Sequence, residues 1–289
     1  VKRGFLRVEG RSGKLLGLLL ACLAIPAGAH SDPWGDIHPD VTVKDGTFSI
    51  TFNTSLPGKP SDITEAQKVY RMIFNTDGRL IAPRHEVQTS RSRSETGPVG
   101  LYGRQLTFGK STVIFQGDQS GQPGYLLRSA DGKVAPVSLP WPEDVKLSLM
   151  EDAIVVPDGI AITGKQDRVI LKFYWFPHAP ADPPTVVSIG ATECIYHFPV
   201  ASNLAFAGGR FWVAYMRHEE EVGTKLRLWS WAPGDAEARD EALDSPGFWN
   251  SRLSLAAVGD RLCLAYHCVD GPGFLHQQAR IVTVFREAK

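Results

Sequence analysis

Residues 204–215 read LAFAGGRFWVAY, and residues 255–266 read LAAVGDRLCLAY, the same pattern 51 residues further on. Leu204/Leu255, Ala205/Ala256, Gly208/Gly259, Arg210/Arg261, Ala214/Ala265 and Tyr215/Tyr266 are identical. Each copy is an apolar run, a two-residue turn signal (Gly208-Gly209, Gly259-Asp260) and a second apolar run. Glycine, or Asp beside glycine, supplies the positive φ that a two-residue turn needs, so each copy is predicted to be a β-hairpin. A hairpin recurring at this period is a sign of repeat architecture, and for all-β units of this size a propeller is the first candidate.

Working outward, the same hairpin is expected at Val41–Phe52 around Asp45-Gly46, at 101–116 around Gly109, and at 146–163 around Pro157-Asp158-Gly159. A second hairpin follows each, as at Lys68–Val87 around Asn75–Gly78 and at Tyr125–Leu139 around Ala130-Asp131-Gly132. The reading is an all-β propeller of five four-stranded blades, the last one strand short. The lead-in Trp34–Pro39 is expected to supply that missing outer strand, so that no raw edge is left. A β-sandwich, which also has short alternating strands, is the competing architecture. The one helical candidate, Ser61–Tyr70, is short and lacks an apolar stripe.

The first residues read as a leader rather than as part of the fold. Lys2, Arg3, Arg7, Arg11 and Lys14 precede the apolar Leu15–Ile25, and Pro26–Ala29 offers small residues for cleavage before His30. The expected division is therefore a signal peptide at 1–29 and the propeller domain at 30–289. Eleven apolar residues fall short of the roughly 20 that a spanning helix needs. A lipid anchor at Cys22 and a twin-arginine route are variants of the same expectation, export. Net charge is zero, from 31 basic and 31 acidic residues, which argues against a nucleic-acid partner. Removal of the leader leaves Cys194, Cys263 and Cys268. Cys263 and Cys268 are five apart on one predicted strand and so face opposite sides; either is open to pairing with Cys194 or to simple burial.

In a propeller, loops entering the innermost strands and loops joining second to third strands crowd one rim. That geometry selects Asp36, His38 and Asp40; Arg91, Arg93 and Glu95; Trp141, Glu143 and Asp144; Glu193, Tyr196 and His197; and Trp249, Asn250 and Arg252. It adds Arg217, His218 and Glu219–Glu221, then His267, Asp270 and His276. His197, His218, His267 and His276 gather on two units, yet no H-x-H or H-x₃-H pair marks a metal site. No metal and no cofactor is expected. Trp141 and Trp249 are read either as platforms for a sugar ring or as plugs between blades.

The repeat as a whole resembles the bacterial sialidase-like or BNR-like propellers over most of residues 38–286. The likeness is carried by Gly-Gly-Arg-Phe-Trp-Val-Ala-Tyr, by Gly-Asp-Arg-Leu-Cys-Leu-Ala-Tyr, and by the turns Asn75–Gly78 and Ser129–Gly132, which look like truncated Asp-boxes. Sialidase activity would need three arginines converging on a carboxylate; Arg84, Arg91, Arg93, Arg104 and Arg252 are present, and nothing assigns them. Locally, His38-Pro39-Asp40-Val41 before Lys44-Asp45-Gly46 is similar to the opening strand of five-bladed glycosidases of the arabinanase type. There an Asp before the Pro is the general base. His38 holds that place here, so the resemblance implies Asp36 or Asp40 as base with Glu193 as acid, roughly 6.5–9.5 Å apart for an inverting reaction.

Two functions follow as expectations. One is an exported propeller that binds a glycan or an extracellular protein at its rim, through His38, Tyr196, His197, His218, Trp249, Asn250, Arg252 and His267, without turnover. The other is a glycoside hydrolase using Asp36 or Asp40 with Glu193.

Overall fold

The structure is a computed structural model that describes residues 36–54, 69–87, 105–108, 111–117, 123–142, 145, 147–166, 170–178, 182–191, 203–219, 223–245, 249–269 and 279–289. Among the described residues every regular element is a strand, and the strands form five separate antiparallel sheets. The first blade is β1 (Asp36–Lys44), β2 (Thr47–Thr54), β3 (Val69–Phe74) and β4 (Leu80–Val87). The second is β5 (Gln105–Phe108), β6 (Ser111–Gly117), β7 (Pro123–Arg128) and β8 (Val134–Ser138). The third is β9 (Leu147–Val156), β10 (Gly159–Gln166), β11 (Ile170–Pro177) and β12 (Thr185–Ala191). The fourth is β13 (Leu204–Ala207), β14 (Arg210–Glu219), β15 (Gly223–Trp231) and β16 (Arg239–Ala242). The fifth has three strands, β17 (Trp249–Val258), β18 (Arg261–Val269) and β19 (Ala279–Glu287).

Within each blade the strands pair in chain order. The first strands are also the ones that meet between blades: β9 lies against β5 and β13, and β17 against β13 and β1. They are therefore innermost, and the molecule is a five-bladed β-propeller rather than a two-sheet sandwich. The hairpin turns behave as their residues require. Asp45 and Gly46 have φ of 50° and 70°, and Gly208 and Gly209 have 58° and 74°, the left-handed pair of a two-residue turn matched to strand twist.

Alternate residues of each blade face its two neighbours, so the core lies in the joints. Between the third and fourth blades, Phe173 and Trp175 meet Phe211, Trp229 and Trp231, with the Phe173 and Phe211 rings 5.0 Å apart. Between the fourth and fifth, Trp212, Leu226 and Leu228 pack on Leu253, Leu262 and Leu264. Between the fifth and first, Cys263, Ala265 and Ile281 meet Phe48, Ile50 and Phe74. Between the second and third, Val113 and Leu139 meet Ile160, Tyr174 and Phe176. Cys263 and Cys268 do face opposite sides of β18, one in the fifth–first joint and the other in the fourth–fifth. Burial pushes the Cys263 thiol well above the ordinary range, so it stays protonated.

Ring closure differs from expectation. Asp36–Pro39 do not add an outer strand to the fifth blade; they extend β1, with Asp36 opposite Thr54 and Ile37 opposite Asn53. The two-residue turn at Asp45-Gly46 sets a register that β2 can continue, and such local pairing closes a far shorter loop than a crossing to the far edge. Trp34 lies outside the described residues. The fifth and first blades are instead joined by packing and by the turn at Asn75–Gly78. Asn75 Oδ1 accepts the N–H groups of Asp77 (3.1 Å) and Arg79 (2.7 Å), shaping the turn. A Cβ at Gly78 (φ 79°) would stand 2.7 Å from the Phe285 ring, and Arg261 reaches Asp77 at 3.3 Å. This turn thus docks the first blade on the last. Of the Ser61–Tyr70 helical candidate, Val69 and Tyr70 belong to β3, and residues 61–68 lie outside the described residues.

Candidate functional site

Most of the sequence-selected residues fall either in a group on neighbouring strands or in a group outside the described residues. Asp36, His38 and Asp40 lie on β1, and Trp249, Asn250 and Arg252 on β17. These strands are neighbours: the Val41 N–H donates to Ser254 Oγ at 2.9 Å. His267, on β18, stands opposite Ser251, and His218 of β14, opposite Thr224, belongs to the adjoining fourth blade. One end of the first and fifth blades therefore carries seven of the selected positions, with His218 beside them. Glu193, Tyr196 and His197 lie outside the described residues, as do Arg91, Arg93, Glu95, Glu143, Asp144, Asp270 and His276.

The backbone register is irregular at these positions. On β1, His38 and Pro39 fall in the irregularity between Ile37 and Asp40, two residues facing the single Phe52. On β17, Arg252 and Leu253 fall between Ser251 and Ser254, again two against one, Tyr266. On β9 the pairing jumps from Thr163↔Asp152 to Gly164↔Met150, which makes Glu151 the extra residue. Three inner strands thus carry a β-bulge at the same height, and a bulge re-aims side chains that a regular strand would hold to its alternation.

The bulge on the third blade holds a polar cluster that the rim-based selection missed. Asp152 is fully buried. Its Oδ2 accepts the N–H groups of Asn203 (2.7 Å) and Leu204 (2.9 Å) on the next blade, and its Oδ1 that of Ala153 (2.8 Å). Asn203 Oδ1 accepts Thr163 Oγ1–H at 2.9 Å, and Asn203 Nδ2 donates to Glu151 Oε2 at 2.9 Å. The other oxygen of Glu151 meets Lys165 Nζ at 2.7 Å. A buried carboxylate is tolerated where its lone pairs are met in this way. The sequence signal was Glu151-Asp152 interrupting the apolar run LSLMEDAIVV.

Trp141 resolves as a plug. It is half-buried, with its ring edge-on to Tyr174 (5.0 Å) and Phe176 (4.9 Å) in the second–third joint. On the fourth blade, Tyr215 donates to Asp240 (2.9 Å) and Arg227 Nε donates to the Tyr215 oxygen (3.1 Å). Burial first, then the Asp240 hydrogen bond, pushes the Tyr215 hydroxyl up to about 12. Among the described residues no three His, Cys, Asp or Glu side chains are placed to hold a metal ion, and no helix is long and apolar enough to cross a membrane.

No protein-family model and no curated protein sequence matches the chain. Solved structures of similar shape include the catalytic domain of the Coprinopsis cinerea GH62 α-L-arabinofuranosidase, 12% identical with a TM-score of 0.43, covering 93% of this chain and 95% of that one. The Podospora anserina α-L-arabinofuranosidase PaAbf62A, in complex with cellotriose, is also 12% identical at 0.43, covering 94% and 96%. The Clostridium thermocellum α-L-arabinofuranosidase CtGH43 is 10% identical at 0.44, covering 84% and 88%. Likeness at this level assigns neither residues nor a reaction.

Proposed function

We propose that this chain is an exported propeller that binds a glycan or another extracellular ligand, without turnover, where the first and fifth blades open on one end of the ring. The observation that supports this reading is the adjacency of β1 and β17, each bulged at the same height. Trp249, Asn250 and Arg252 are positions of β17, His38 is a position of β1 and His267 one of β18. An aromatic face with a few convergent donors is what a sugar ring requires: stacking for its apolar face and hydrogen bonds for its hydroxyls. Tyr196, His197 and His218 would extend the same rim. Export rests on the basic, then apolar, then small-residue order of the first 29 residues.

The test is a glycan array with product analysis on every hit. Trp249→Ala is expected to weaken capture by about tenfold, with no sugar released by the parent. A second reading, hydrolysis by Asp36 or Asp40 with Glu193, is favoured by the bulge at His38-Pro39, where the arabinanase-type resemblance puts the base. Released sugar that disappears in the Asp36→Asn, Asp40→Asn or Glu193→Gln variants would establish that reading and overturn binding alone, because an amide cannot exchange the proton. An array on which nothing binds would overturn both for glycans.

A further inference from the structure

We infer that Asp40 is a positioning residue that clamps the second blade to the first by accepting the backbone N–H of Gln105. The argument begins with register. Each inner hairpin closes on a last pair: Lys44↔Thr47, Phe108↔Ser111, Val156↔Gly159, Ala207↔Arg210 and Val258↔Arg261. Four residues before that pair the sequence has Asp40, Arg104, Asp152, Asn203 and Ser254, a polar residue each time. The next residues, Val41, Gln105, Ala153, Leu204 and Leu255, pair with Ile50, Ile114, Ile162, Val213 and Leu264, one register throughout.

Two joints show what that register does. Leu204 turns its N–H away from its own hairpin to Asp152 of the preceding blade, and Val41 turns its N–H to Ser254 of the preceding blade. In these two joints the polar residue of one blade accepts from the following residue's position on the next. At the third blade the Ala153 N–H is met by its own Asp152. For the first and second blades the same register sets Asp40, an acceptor, against Gln105.

Among the described residues no apolar cluster spans the first and second blades. Phe48, Ile50 and Phe52 of β2 turn to the fifth blade, leaving Thr47, Ser49 and Thr51 on the other face, with Arg71 of β3 beside them. On its first-blade side this face is polar, and directional bonds are what a polar face offers a neighbour.

The experiment is residue-resolved amide hydrogen exchange on the full chain. In the parent, the Gln105 amide is expected to be protected like those of Val41 and Leu204. Asp40→Ala is expected to speed exchange at Gln105 by about a hundredfold while leaving Leu204 slow. Asp40→Asn, whose amide oxygen still accepts, is expected to keep Gln105 slow, so it carries the test should the alanine variant not fold. Asp152→Ala is the control, expected to open Leu204 and not Gln105. A Gln105 amide that exchanges freely in the parent, stays slow in Asp40→Ala, or opens in Asp40→Asn overturns the assignment.

Discussion

Between the third and fourth blades a carboxylate, Asp152, accepts two backbone N–H groups of the next inner strand; between the fifth and first a hydroxyl, Ser254, accepts one. Height and register are the same, and the chemistry differs. Around Asp152 the joint is aromatic, with Phe173, Trp175, Phe211, Trp229 and Trp231, and it also contains the Glu151–Lys165 ion pair. Around Ser254 the joint is aliphatic and phenylalanine-lined, and the Asn75–Gly78 turn docks alongside. The difference teaches that a charged or an uncharged acceptor can serve at this height. A carboxylate on an innermost strand is therefore no sign of acid–base chemistry until the backbone it serves has been counted.

The comparison can be broken most forcefully at the charged joint. Lys165→Met would leave the buried Glu151 without its counter-ion and is expected to cost about 3–5 kcal/mol, read as a lower urea midpoint at unchanged slope. Asp152→Ala comes next, at about 3 kcal/mol, because the N–H groups of Ala153, Asn203 and Leu204 lose their acceptor together; Asp152→Asn should recover part of it.

The third prediction concerns alkaline pH. Tyr215 packs in the third–fourth joint, and its folded value of about 12 exceeds the ordinary 10. Its contribution is complete below pH 10 and is lost as pH rises from 10 towards 12, since the unfolded chain ionises first. Stability should therefore fall by up to about 2 kcal/mol across that window, and Tyr215→Phe should flatten the fall. The smallest effect belongs to the uncharged joint. Ser254→Ala orphans the Val41 N–H and should cost about 1.5 kcal/mol. Equal costs for Asp152→Ala and Ser254→Ala would erase the distinction between the joints.

Much of the ring was legible from residues alone. Asp45-Gly46, Gly208-Gly209 and Gly259-Asp260 announce hairpins because few residues other than glycine or its Asp neighbour accept the left-handed backbone there, and their spacing yields five units with the last a strand short. What was not legible depends on which surfaces meet. Trp141 reads equally as a sugar platform or a plug until Tyr174 and Phe176 are found against it. The lead-in looked like a spare strand because its continuation of β1 opposite Thr54 and Asn53 depends on where β2 ends. Asp152 was passed over because selection by rim loops ignores residues deeper in the strands; counting four back from each hairpin's last pair would have found it, with Asn203 and Ser254. For the candidate site, the sequence named positions on β1 and β17, which are neighbouring strands, while Glu193, Tyr196 and His197 lie outside the described residues.

The most direct test of the account is a crystal structure of the protein with an oligosaccharide identified on the array. The account predicts sugar density at the shared end of β1 and β17, against Trp249 and within reach of Asn250, Arg252 and His267, with Asp152 and Ser254 still bonded to their neighbouring blades. Sugar bound elsewhere, or a glycosidic oxygen flanked by Glu193 and Asp36 or Asp40, would contradict it.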